Sequence, residues 1–150
     1  MKFRYLLLLP ALLCTPAAAA AQVDSTCSYD ACSLQVQQRF LSTWIVRGVG
    51  SERVLKLGFS GAGLDAIVAA SDSAVMSARR FRHHQTISSI LGSCSAIAGV
   101  GAWLLSSDHE DFAVAATIAG VGLGFASGQE RKVAANALER SLWWYNRTLQ

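Results

Sequence analysis

ISSILGSCSAIAGVGAWLL, residues 87–105, runs for 19 positions without a charged side chain, and GVGLGFASG, residues 120–128, repeats the condition a short distance on. As an α-helix, residues 87–105 would extend about 28 Å, close to the thickness of a hydrocarbon core of about 30 Å. The second apolar stretch, residues 112–128, is shorter and less apolar, and by itself would insert only marginally. Between them SSDHEDF, residues 106–112, reads as a turn. Ser107 and Glu110 fit the S-x-x-E capping box, in which each side chain accepts a hydrogen bond from an otherwise unpaired N–H of the first helical turn. Two apolar helices joined by a tight acidic turn make a hairpin.

Working outward, Leu64, Ile67, Val68, Val75, Ala78 and Phe81 recur at steps of three and four, with Asp65 near the start. That periodicity describes an amphipathic helix running without a break into the uncharged stretch, so residues 63–107 are expected to be one helix that changes solvent partway. On the return arm Val133, Ala137, Leu138, Ser141, Leu142, Tyr145 and Leu149 share one stripe, which makes residues 108–150 a second helix with an amphipathic C-terminal part. Residues 22–62 differ in character. TWIVRG, GSE and RVLKL read as two strands around a glycine-bearing turn, and SLQVQ as a candidate third, although Leu34, Leu41 and Ile45 also fit a helical stripe. The expected fold is mainly α: a long antiparallel helical hairpin with two membrane-spanning segments, plus a small N-terminal β-hairpin or meander.

Residues 1–21 carry Lys2 and Arg4, an apolar core at Tyr5–Leu13 and a small-residue region at Ala17–Ala21, the three parts of a secretory signal peptide. Leu13 before Cys14 departs from the small residue a lipidation signal carries there. Export places Cys27 and Cys32 of CSYDAC in an oxidising compartment, where a disulfide is expected. Cys94, inside the apolar run, reads as a small buried packer. Of the 150 residues, 52% are hydrophobic against 15% charged, a balance that leans toward a lipid partner. The net charge of +3 is spread thinly and forms no aromatic-interleaved basic face, which argues against nucleic acid.

On a helix, Ala116, Gly120, Gly124 and Gly128 form a seam almost free of side chains, and Ser88, Gly92, Ala96 and Gly99 offer a matching row on the first span. The G-x-x-x-G-x-x-x-G spacing of Gly120–Gly128 resembles the glycine zipper of some membrane-associated bacterial envelope proteins and oligomeric pores. That resemblance implies self-association as the alternative to docking within the hairpin. Arg79, Arg80 and Arg82, with His83 and His84, form a band at the headgroup level; adjacent histidines on a helix point about 100° apart, which disfavours a shared metal. Asp108, His109, Glu110 and Asp111 have no regular metal-loop spacing.

WWYNR, residues 143–147, is the most unusual surface feature: Trp143, Trp144 and Arg147 are candidate partner contacts, or Trp143 packs on the strand region, and Asn146-Arg147-Thr148 is an N-glycosylation sequon. No nucleophile with a base, phosphate-cradling loop or paired acids gives an enzyme reading anything specific to rest on, and no cofactor or metal is implied. The expected role is a non-enzymatic, membrane-anchored envelope protein that binds an unknown protein partner, or acts structurally, with a homo-oligomeric scaffold or pore as the alternative. Localisation carries a conflict. The leader exports the flanks of the hairpin, while the positive-inside rule would keep Arg79–Arg82, Arg131 and Lys132 in the cytoplasm. The complete leader is given precedence, with the polar part extracytoplasmic.

Overall fold

The computed structural model describes residues 27–39, 42–105 and 110–150, so the proposed leader and the turn with Ser107, Asp108 and His109 lie outside the described residues. The elements run α1 (Tyr29–Cys32), β1 (Leu34–Arg39), β2 (Ser42–Arg47), β3 (Glu52–Leu57), α2 (Leu64–Ile67), α3 (Asp72–Leu105) and α4 (Glu110–Arg147). Two long apolar helices pack as a hairpin, with a three-stranded sheet at the N-terminal side.

The sheet is an antiparallel meander, β1-β2-β3, pairing Val36 with Ile45 and Trp44 with Lys56, with one irregularity at Ile45/Val46. Strand, rather than helical stripe, is the outcome for Leu34, which opens β1, and Ile45, within β2, both buried; Leu41 lies outside the described residues. A disulfide joins Cys27 to Cys32, whose Cα atoms lie 6.0 Å apart, and closes α1 into a knot on which the β2–β3 turn sits. Gly48 N–H donates to Ser33 O at 2.8 Å and Val49 N–H to Asp30 O at 3.0 Å. Gly48 has φ +64°, and a Cβ there would stand 2.6 Å from Ala31 O, so only glycine lets the turn approach α1 this closely.

The first long helix does not run through residues 63–107 as one piece. Leu64–Ile67 is a separate single turn, and the main helix starts at Asp72. Ser71 explains the restart. Its hydroxyl accepts from Ala74 N–H at 3.4 Å, and Asp72 follows in the first turn, where the helix dipole favours an anion. The break lets Leu64 and Val68 turn into the core.

That core lies in the lower half of the molecule. Leu34 and Ile45 from the sheet meet Leu64, Val68, Ala74, Ala78 and Phe81 on one side and Ala134, Leu138, Leu142 and Tyr145 of α4 on the other. Phe81 is capped by Gly61, whose φ is +61° and whose place no side chain could take without striking the ring. Burial of these side chains is the main force holding the sheet to the hairpin, at about 25 cal/mol per Å² of apolar surface.

Along the whole hairpin the row of α4 that faces α3 is made of small residues. Residues 113, 120, 127, 134 and 141 of α4 are Ala, Gly, Ser, Ala and Ser, and all five are buried. Opposite them run Ala74, Phe81, Ser88, Ser95 and Ala102 of α3, also seven apart. A seven-residue repeat drifts only about 20° per repeat on an α-helix, so this row stays on the facing side for the length of the hairpin.

Candidate functional site

The upper half of the hairpin is inside-out relative to a water-soluble core. Ile90, Ile97, Val100, Trp103, Phe112, Ile118, Val121 and Phe125 turn outward, while serine, alanine and glycine face the partner helix. Both α3 and α4 are long and apolar enough to cross a membrane, and only 11% and 17% of their most apolar windows are buried within the chain. A helix in the core of a soluble protein would have most of that surface covered. Cys94 is exposed rather than packed inside, because the seam takes Ser88, Gly92 and Ser95 and turns residue 94 to the outside.

Polar atoms in this region pair within the helices. Ser93 Oγ donates to Ser89 O at 2.9 Å and Thr117 Oγ1 to Ala113 O at 2.8 Å, each returning to the carbonyl four residues back in its own helix. The buried hydroxyls instead cross the seam. Ser88 Oγ donates to Ser127 O at 3.0 Å and Ser127 Oγ to Ser88 O at 2.8 Å, the two oxygens lying 3.2 Å apart. Ser95 Oγ reaches Gly120 O at 2.7 Å, and Ser141 Oγ reaches Ala74 O at 2.9 Å. Three levels of hydroxyl-to-carbonyl bonds thus fix the register, and each needs a close approach that bulk would prevent.

This seam follows a different row from the four-residue spacing read in the sequence. Gly120 is buried, with Ala98 Cβ and Ser95 O each 3.4 Å from where its Cβ would stand. Gly124 faces Ser95 Oγ, at 3.1 Å on the same construction, and Gly92 faces Ser127 Oγ at 3.2 Å. Ala116 is half-buried and Ser88 fully buried. Gly128 and Gly99 would meet nothing within 4 Å on adding a Cβ, and Ala96 is exposed. A four-residue step overshoots a full turn by about 40°, so Gly128 has rotated off the seam that Gly120 occupies. The helical stripe read in the sequence places Ser141 on the inward side of α4 but gives Ser95 and Ser127 no role; the signal that marks them is the pair of seven-residue rows, Ala74 to Ala102 and Ala113 to Ser141.

Immediately below the apolar band lies a basic collar. Arg79, Arg80 and Arg82 are exposed on α3, and Arg131 and Lys132 on α4. Arg82 Nη1 stands 3.7 Å from Asp65 Oδ2, and His84 Nδ1 is 2.5 Å from Glu130 Oε2, which ties the two helices one turn below the Ser88–Ser127 clasp. Glu110 and Asp111 are exposed at the opposite end of the band. Among the described residues no three His, Cys, Asp or Glu side chains are grouped to hold a metal ion.

The third feature is at the far base. Trp143 and Trp144 meet edge to face, with ring centroids 4.7 Å apart, and Arg147 Cζ lies 5.2 Å from the first ring centroid and 5.8 Å from the second. Trp143 remains 53% exposed; it borders a shallow pocket of about 320 Å³ with Tyr29, Asn146, Arg147 and Gln150. Tyr145, between the two indoles' neighbours, turns into the core instead. Asn146 is fully engaged: Leu34 N–H donates to its Oδ1 at 2.7 Å and its Nδ2 donates to Leu34 O at 2.9 Å. The patch is therefore anchored to β1 as well as to α4, with Tyr29 of α1 on the rim of the pocket. This chain matches no protein-family model, no curated protein and no solved structure.

Proposed function

We propose that this protein is an exported, membrane-anchored envelope protein whose helical hairpin crosses the bilayer and whose disulfide-braced base binds a partner protein through Trp143, Trp144 and Arg147. The observation that carries the reading is the reversal of sidedness along α3 and α4: apolar side chains outward and hydroxyls inward over the same stretch. In water that arrangement would expose a large contiguous apolar surface, whereas in lipid it sets apolar side chains against acyl chains and pairs the inward hydroxyls across the helix interface. A paired Cys27 and Cys32 supports an oxidising compartment for the base. Two exposed indoles stacked with a guanidinium supply the residue types enriched at binding hot spots. Gly120 and Gly124 face Ser95 of the same chain, which supports docking within the hairpin over a homo-oligomeric zipper.

Single cysteines placed at Asp108 and at Gln129, in a Cys94→Ser background, test the arrangement in intact cells with a membrane-impermeant maleimide. Labelling at 129 but not at 108 until lysis supports a spanning hairpin with an exported base. Labelling at both positions in intact cells overturns the spanning hairpin, and labelling at 108 alone reverses its orientation. Crosslinking in mild detergent then addresses the base: capture of a distinct protein that is lost on Arg147→Ala supports the partner reading, and a homo-oligomeric ladder lost on Gly124→Leu supports the alternative.

A further inference from the structure

We infer that Phe59 is a third membrane contact, a side chain from the sheet domain that enters the interfacial zone of the same bilayer; this rests on the spanning reading of the hairpin. Phe59 is 86% exposed, the most exposed of the large hydrophobic side chains among the described residues. Its height is fixed. Ser89 Oγ lies 3.2 Å from Phe59 O and 2.9 Å from Gln85 O, so one hydroxyl proton is shared between the loop and the helix. Ser89 is the residue immediately before Ile90, where the outward apolar band of α3 begins.

The loop is held from its other end too. Gly61 N–H donates to Gly58 O at 3.2 Å, closing a turn around Phe59 and Ser60, and Gly61 is locked over the Phe81 ring. Phe59 is thus presented on a fixed turn at the lower edge of the apolar band. The chemistry below it fits lipid rather than protein. Arg82 lies about 10 Å down the helix from Ser89, the distance from the acyl boundary to the phosphate layer that a long cationic side chain can span. Arg79, Arg131 and Lys132 are exposed near that level, and among the described residues Asp65 and Glu130 pair with Arg82 and His84 rather than with them; their positive charge is complementary to lipid phosphates. A phenyl ring one to two turns above exposed basic side chains places each group in the layer it prefers.

With this contact the sheet domain does not swing freely on the hairpin. It is pressed against the membrane on one side, and the Trp143–Trp144 pair, about 20 Å along α4 from Glu130, faces away from the lipid.

The test uses the full chain in vesicles of phosphatidylcholine and phosphatidylglycerol, with a nitroxide on Phe59→Cys in the Cys94→Ser background. Ile118→Cys gives the deep reference and Val49→Cys the aqueous one. The expected ratio of oxygen to water-soluble nickel accessibility at 59 falls between the two and several-fold above the value at 49. A ratio at 59 equal to that at 49, with 118 reading deep, overturns this inference and leaves the hairpin standing. If 118 also reads aqueous, the spanning hairpin falls and the Phe59 contact falls with it.

Discussion

Asn146 and Leu34, 112 residues apart in sequence, exchange both of their amide hydrogen bonds, so that a helix side chain occupies the place of a neighbouring strand. Leu34 is 1% exposed, and without Asn146 its N–H and C=O would lose their protein partners at a part-buried position beside the Trp143 pocket. Asn146→Ala is expected to cost about 2 kcal/mol, since two groups lose their partners and each, being part-buried, falls at the low end of about 1–3 kcal/mol. Asn146→Asp retains the acceptor but sets a carboxylate against Leu34 O, and it should be no better than alanine. Equilibrium unfolding in mild detergent, followed by tryptophan fluorescence, measures both. The same clamp occupies the sequon's acceptor nitrogen in the folded state.

The seam predicts a contrast between two glycines that the four-residue pattern treats alike. Gly120→Leu must push α3 away from α4 and is expected to destabilise by about 1–3 kcal/mol. Gly128→Leu meets open space and should stay within about 0.5 kcal/mol of the parent. Equal effects at the two positions in a denaturing-detergent titration would refute the seven-residue row.

The Ser88–Ser127 exchange calls for a double-mutant cycle. Two hydroxyls each donate to the other's backbone carbonyl, so the pair should couple by about 0.6 kcal/mol and by no more than about 1.7 kcal/mol, the range found for interhelical hydrogen bonds in membranes. Additivity of Ser88→Ala and Ser127→Ala would mean that the hydroxyls do not act on one another.

His84 and Glu130 sit lower, at the collar, with side chains 24% and 31% exposed. Water and salt reach them there. Coupling between His84→Gln and Glu130→Gln is expected to be below about 1 kcal/mol and to shrink in high salt, unlike the serine pair above it.

Replacing Cys27 and Cys32 by serine removes a short loop closure and should lower stability by about 2 kcal/mol. The local signature is sharper than the global one. The amides of Gly48 and Val49, which donate onto the disulfide knot, should exchange faster with solvent, while exchange around Ser88 and Ser127 stays unchanged.

The hairpin and the strands are legible because their signals are local: an uncharged run of helix length in one case, strand formers on either side of a glycine-bearing turn in the other. What stayed hidden depends on partners. The break at Val68–Ser71 is marked only by Ser71 and Asp72, a start signal embedded in a pattern that would carry a helix straight through. The four-residue glycine spacing points to Gly128 rather than to Ser127, because hydroxyls that bond across helices are indistinguishable from ordinary polar residues until the opposite carbonyl is known. The role of Asn146 could not be read locally at all, since its partner is Leu34 at the other end of the chain.

The unbroken course of α4 from Glu110 to Arg147 makes it a lever. From Gly120 to Trp143 the arm is about 35 Å long, so a change in tilt of about 10° at its buried end sweeps the indole pair sideways by about 6 Å. Under the proposed spanning arrangement, a bilayer whose thickness the hairpin accommodates by tilting would displace the indole pair, far from the apolar band.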